Sequence, residues 1–245
     1  MIFKEYGQEN KEVIILLHGG GLSWWNYREV AELLQNDYHV VLPILNGHAG
    51  SDKDFVSIEG NADDIIAFID ERFGSRVLAI GGLSLGAQIV AEILSKRKNI
   101  CRYAVIESAL VIPMKVTHAL VKPLMDMSFG LIEKKWFAKM QFKSLKMKTE
   151  LFDDYYKDTC QITKENMITF LKANSSYKLK KSLAETDAKT YILVGQKESK
   201  AMRNSAKKLH ETIRGSVLVV FKGKYHGEYS LNCVEEYVDN LIRLL

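Results

Sequence analysis

Residues 81–87, GGLSLGA, place Ser84 between an apolar run (RVLAIGG, 76–82) and an amphipathic segment (AQIVAEILSKR, 87–97). The run reads as a strand buried on both faces, and the segment after it has apolar residues at helical spacing. G-x-S-x-G alone is a weak signal, because glycine and serine are common turn residues. Between a strand and a helix it describes a tight turn that lifts a serine hydroxyl above a sheet edge. A Cβ at Gly82 or Gly86 would crowd that turn, and the helix N-terminus beneath favours developing negative charge. Ser84 is therefore the candidate nucleophile.

Working outward, the same alternation continues. Near-continuous apolar runs begin at Val13 (VIILLHG), His39 (HVVLPIL), Tyr103 (YAVIES), Thr190 (TYILVG) and Ser216 (SVLVVF). Amphipathic segments separate them: NYREVAELLQ, NADDIIAFIDERF, SAKKLHETI and VEEYVDNLIRLL. Strand–helix alternation predicts an α/β fold with a mostly parallel, doubly wound sheet, and functional residues at the carboxyl ends of its strands.

Residues 112–185 break the rhythm. They contain no strand pattern, six of the eight methionines and no arginine. They are expected to form an inserted helical cap over a core made of 1–111 and 186–245. The soft, aromatic cap and the nearby Trp24 make Trp24, Met125, Phe129 and Trp136 candidate pocket residues, although each is equally explained by core packing.

Hydrophobic content of 47% and charged content of 26% are ordinary for a globular chain of 245 residues. A net charge of +4, without a dense basic run, excludes a nucleic-acid-binding signature. Cys101, Cys160 and Cys233 lie far apart, which reads as reduced thiols and not as a disulfide frame or zinc site. Charges before and within the first apolar run argue against a secretory signal, and no apolar stretch approaches the roughly 18 residues of a membrane span. The expectation is a cytoplasmic protein, a monomer or homodimer, acting on a small molecule.

A serine needs a base to take its proton. His39 and His210 fall in a strand and a helix, His118 in the insertion, and His48 in a loop at the site rim. His226, in KGKYHGEYS, follows the last strand and hangs over the sheet edge, so it is the candidate base. Glu198 (VGQKES) follows the preceding strand and gives the chain order Ser, Glu, His; Glu107, ending YAVIES, is the rival acid. His18-Gly19-Gly20-Gly21 ends the first long strand. The amide of Gly20 or Gly21, with that of Leu85, is the candidate oxyanion hole, and His18 orients the loop.

Together HGGG (18–21), NGHAGS (46–51), GLSLG (82–86), GQKE (195–198) and YHG (225–227) resemble the α/β-hydrolase superfamily, in its order and over nearly the whole chain outside the cap. The likeness is to small hydrolases that include carboxylesterases, proline iminopeptidases and menaquinone-pathway lyases. It implies a Ser–acid–His triad, no metal, no organic cofactor, and a lid that sets specificity. The chain departs in lacking an aspartate before NGHAGS and in having Glu where Asp is commoner.

Serine at the elbow argues against haloalkane dehalogenases and epoxide hydrolases, whose resemblance would require aspartate. An arginine-free cap argues against a lyase that must grip a multiply charged carboxylate. The leading expectation is a carboxylesterase-like serine hydrolase cleaving an ester or related acyl bond. The alternatives are a C–C hydrolase or lyase using the same triad, or a ligand-binding protein of this fold with little turnover.

Overall fold

Seven strands build one sheet in the computed structural model, which describes residues 1–245. They are β1 (Ile2–Tyr6), β2 (Val13–Leu17), β3 (His39–Ile44), β4 (Val77–Leu83), β5 (Cys101–Glu107), β6 (Lys189–Gly195) and β7 (Val217–Phe221). Their spatial order is β1-β3-β2-β4-β5-β6-β7, all parallel except β1, which runs antiparallel to β3 with Ile2 opposite Ile44. The chain order turns back on itself between β2 and β4, beside the strand that carries Ser84.

The edge strand β1 was not among the runs read from sequence. Its IFKEY is short, carries two charges and is at most half-buried, so it lacks the continuous apolar signature of the interior strands. Pairing with β3, and not its own pattern, makes it a strand.

Alternate residues of the interior strands face opposite ways, as the two-residue period of a strand requires. Ile15, Leu17, Val41 and Ile80 pack on one face with α2 (Ile58–Phe73), α3 (Leu85–Lys96) and α8 (Lys200–Thr212). Ile14, Leu16, Val40 and Leu42 pack on the other with α1 (Arg28–Leu34) and α10 (Val234–Leu244). Ser57 caps α2 by accepting the Gly60 N–H at 2.9 Å, and Gly74 ends it at φ +65°. All three cysteines are free, and burial pushes the Cys101 thiol up to about 12.

Between β5 and β6 the chain forms no strand, only helices joined by loops and short 3-10 turns: α4 (Lys115–Ser128), α5 (Lys135–Ser144), α6 (Phe152–Thr159) and α7 (Lys164–Ser176). Polar contacts fasten this segment to the sheet-bearing part. Asn166 accepts from Phe55 N at 2.8 Å and donates to Asp54 Oδ1 at 2.9 Å. Trp25 Nε1 donates to Asp158 Oδ2 at 2.8 Å. Gln88 Nε2 donates to Asn174 O at 2.9 Å.

Candidate active site

Ser84 occupies the single residue between β4 and α3, with φ +54° and ψ −110°. A non-glycine residue there stores about 1–3 kcal/mol of strain, which the surrounding packing must hold. Close approach explains the flanking glycines. A Cβ on Gly82 would lie 2.6 Å from the Gly86 carbonyl carbon, and one on Gly86 only 2.3 Å from the carbonyl oxygen of Leu17. Ser84 N donates to Glu107 O at 2.9 Å, and Ser84 O accepts the Gln88 N–H at 3.0 Å, which starts the helix.

Glu198 follows β6 and is 1% exposed at its side chain. Its Oε1 accepts from Gly195 N at 2.6 Å and from Ser108 Oγ at 2.7 Å. Its Oε2 lies 2.8 Å from His226 Nδ1. Burial pushes this carboxyl up, but His226, the Gly195 amide and the Ser108 hydroxyl outweigh burial and hold it below the usual value. Gly195 is required for the approach: a Cβ there would meet the Lys224 carbonyl oxygen at 2.4 Å.

His226 lies in the loop between β7 and α9 (Glu228–Asn232), its ring 42% exposed. The next residue, Gly227 at φ +66°, rests on the Leu83 side chain, where a Cβ would come within 3.0 Å. The histidine loop and the serine turn are thus packed against each other through the residue preceding Ser84. No hydrogen bond joins Ser84 Oγ to the imidazole, whose Nδ1 faces Glu198; contacts of this kind often tighten only around substrate.

The rival acid, Glu107, is buried and turned elsewhere. Its Oε1 accepts from Ser230 N at 3.3 Å, while Oε2 has no partner in the chain. Burial pushes its carboxyl up to about 7. His226 is paired with Glu198 and not with Glu107.

Gly19 O accepts the Leu22 N–H at 3.1 Å, closing a four-residue turn with Gly21 at φ +76°. Neither Gly20 N–H nor Gly21 N–H donates to any group of the chain. A Cβ on Gly20 would touch the Leu85 side chain at 3.5 Å, so this turn stands beside the first residue of α3. His18 sets the turn from behind: its Nδ1 faces Gly19 O at 2.9 Å and its Nε2 accepts from Leu45 N at 3.1 Å. Burial pushes His18 well below the ordinary histidine range, which keeps the ring neutral as that pair of bonds requires. His48 is also buried, pushed down to about 4, and stacks on Phe170 with centroids 4.7 Å apart.

A cavity of about 280 Å³ opens above Gly20 and Gly21, walled by α4, α5, α6 and α7. Met125 lines it; Phe129, Trp24 and Trp136 do not. Phe129 is half-buried against the core, Trp24 has Lys4 and Arg28 over its ring at 5.7 and 5.8 Å, and Trp136 is 63% exposed. Phe129 and Trp136 are candidates by the aromatic content of their segment and Trp24 by its place just beyond the glycine loop, but the structure puts none of the three rings on this cavity. The apolar wall comes instead from Ile132, Leu145, Tyr155, Met167 and Phe170. Ser108, the second donor to Glu198, also went unread, although its place directly after a strand ending in Glu107 was a usable signal. No group of three or more His, Cys, Asp or Glu side chains is arranged to hold a metal ion.

The family model described as the alpha/beta hydrolase family matches residues 14–239. No curated protein matches the sequence significantly. Among solved structures, an esterase from Exiguobacterium antarcticum superposes with TM-score 0.83 at 19% identity, over 99% of this chain and 94% of that one. A thermophilic esterase from Thermogutta terrifontis gives 0.81 at 16% identity, over 99% and 92%. MenH from S. aureus gives 0.77 at 17% identity, over 99% and 96%. At these identities the likeness is one of fold.

Proposed function

Since this chain belongs to the alpha/beta hydrolase family, we propose that it is a serine hydrolase cleaving an ester of a small apolar acyl group. Ser84 is its nucleophile, His226 its base and Glu198 its acid. The observation that carries this reading is the 2.8 Å contact of Glu198 Oε2 with His226 Nδ1, next to a serine held at positive φ.

Ser84 Oγ attacks the ester carbonyl carbon as His226 Nε2 takes its proton. Glu198 holds Nδ1–H and stabilises the imidazolium that forms. Negative charge gathers on the former carbonyl oxygen, which accepts from the amides of Gly20 or Gly21 and of Leu85; losing one such donor costs about 100- to 1000-fold in rate. Collapse breaks the ester C–O bond, and His226 returns the proton to the departing alkoxide. Water then gives a proton to His226 and attacks the acyl carbon. The acid leaves and Ser84 Oγ recovers its proton.

Residues 112–185 act as the cap over this site. The cavity above Gly20 and Gly21 has no charged side chain on its wall and mixes apolar residues with Ser128, Gln141, Ser144 and Thr159, which supports an uncharged acyl group as the bound group.

Labelling with a fluorophosphonate probe tests the reading. Wild type is expected to react and Ser84→Ala not to. Labelling that persists in Ser84→Ala, or fails in wild type, overturns it.

A further inference from the structure

Sixteen large hydrophobic side chains are exposed, and nine of them fall within residues 114–145. Four lie along α4 at helical spacing: Val116 (74% exposed), Leu120, Leu124 and Met127 (82%). Intervals of four, four and three place them on one face of the helix. They are not a core face left over, because α4 already packs inward through Val121 and Met125. The next helix repeats the arrangement. On α5, Ala138 and Phe142 are buried while Trp136 and Met140 face out. Single exposed apolar residues need no explanation, but outward rows on two successive helices mark a surface that meets something.

Charge identifies what it meets. Residues 115–148 hold eight lysines against two acids, Asp126 and Glu133, a net +6. The other 211 residues hold 26 Lys and Arg against 28 Asp and Glu, a net −2, so the chain's excess positive charge is gathered in this segment, five of its lysines on α4 and α5 themselves. Asp126 is neutralised locally by Lys122 and Lys164, both at 2.7 Å. Lys135, Lys139 and Lys143 follow the exposed side of α5 beside Trp136 and Met140. Lys135 holds its ammonium group 6.0 Å over the rings of Phe152 and Tyr156, and Lys139 holds its own 6.0 Å over Phe152, on the side of α5 next to the apolar strip, which their stems extend. A second copy of this chain meeting it across a two-fold axis would set +6 against +6. No helix is long and apolar enough to cross a membrane. Apolar rows with a Trp, edged by lysines, are the pattern of a helix lying in a lipid headgroup layer.

We propose that the exposed sides of α4 and α5 together dock on the surface of an anionic phospholipid bilayer. Trp136, Met140 and the α4 row enter the headgroup boundary, and the lysines lie against the phosphates. The same helices wall the cavity above Gly20 and Gly21 through Met125 and Gln141. Docking does not depend on the role given to Ser84.

The test is flotation of the whole protein with phosphatidylcholine vesicles, with and without phosphatidylglycerol. Binding to the anionic vesicles only, weakened by salt, is expected. Replacing Lys135, Lys139 and Lys143 together by Gln should lower partitioning about 100-fold. Trp136→Ser should weaken it too, with thermal unfolding of both variants matching wild type. Bound vesicles should blue-shift the wild-type tryptophan emission, and the shift should vanish in Trp136→Phe. Absence of binding to anionic vesicles, or equal binding by the triple variant, overturns the proposal. So does a stable dimer that Trp136→Ser dissociates.

Discussion

Ser108 Oγ donates to Glu198 Oε1 at 2.7 Å, from a backbone held at φ +56°. One carboxylate oxygen is therefore fixed by Ser108 and Gly195, which leaves the other free to face His226. The serine after β5 positions the acid after β6, across two neighbouring strands.

Removing that donor should be felt in turnover and not in binding. Ser108→Ala is expected to lower kcat about 10-fold with KM within about twofold, since hydrogen bonds to charged groups carry about 1.5–3 kcal/mol. Steady-state hydrolysis of p-nitrophenyl butyrate reads this directly. An unchanged kcat would show that Gly195 N–H suffices to hold Glu198.

The two buried glutamates should separate in function. Glu198→Gln is expected to drop kcat by about 10⁴-fold, because the amide favours the wrong imidazole tautomer. Glu107→Gln should stay within about threefold of wild type. The reverse pattern would exchange the two assignments.

Glu107 should instead appear in stability against pH. Its carboxyl titrates near 7 in the fold, against 4.5 ordinarily, because burial disfavours its charge. Below 4.5 folded and unfolded chains both carry the proton, so the group contributes nothing. Between 4.5 and 7 the fold keeps a proton that the unfolded chain has released, so stability falls as pH rises; above 7 the full penalty, about 3 kcal/mol, is present. Urea titrations at pH 4 to 8 should show Glu107→Gln gaining on wild type by that amount. Parallel curves for the two proteins would mean that Glu107 binds its proton in the fold no more tightly than in the unfolded chain.

The two glycine motifs should answer alanine differently. In Gly86→Ala the new methyl meets backbone at 2.3 Å, which cannot give way locally, so a loss of at least about 3 kcal/mol is expected in thermal unfolding. Gly20→Ala meets only side chains at ordinary contact of 3.5 Å and should keep its stability within about 0.5 kcal/mol. Its methyl borders the cavity, so KM should rise more for p-nitrophenyl hexanoate than for the acetate. An equal rise would mean that the acyl chain lies elsewhere.

Much of this molecule could be read along the chain, because its signals are local. The interior strands are continuous apolar runs, and the turn around Ser84 needs its glycines within two residues on either side. The order of Ser84, Glu198 and His226 is likewise a property of sequence. These determine an α/β sheet with helices on both faces and a serine at the end of its central strand.

Tertiary structure decided the rest. The strand Ile2–Tyr6 exists because β3 offers it an edge, and a partly exposed, charged five-residue run carries no such message. Glu107 ends one buried strand and Glu198 closely follows the next, and only the loop path after β7 turns His226 toward one of them. Within the helices between β5 and β6, composition was visible but rotation was not. The phase of each helix turns Met125 into the cavity and Trp136 out to solvent. Pairing across strands and the facing of a helix depend on neighbours far away in the chain, and a local pattern cannot record them.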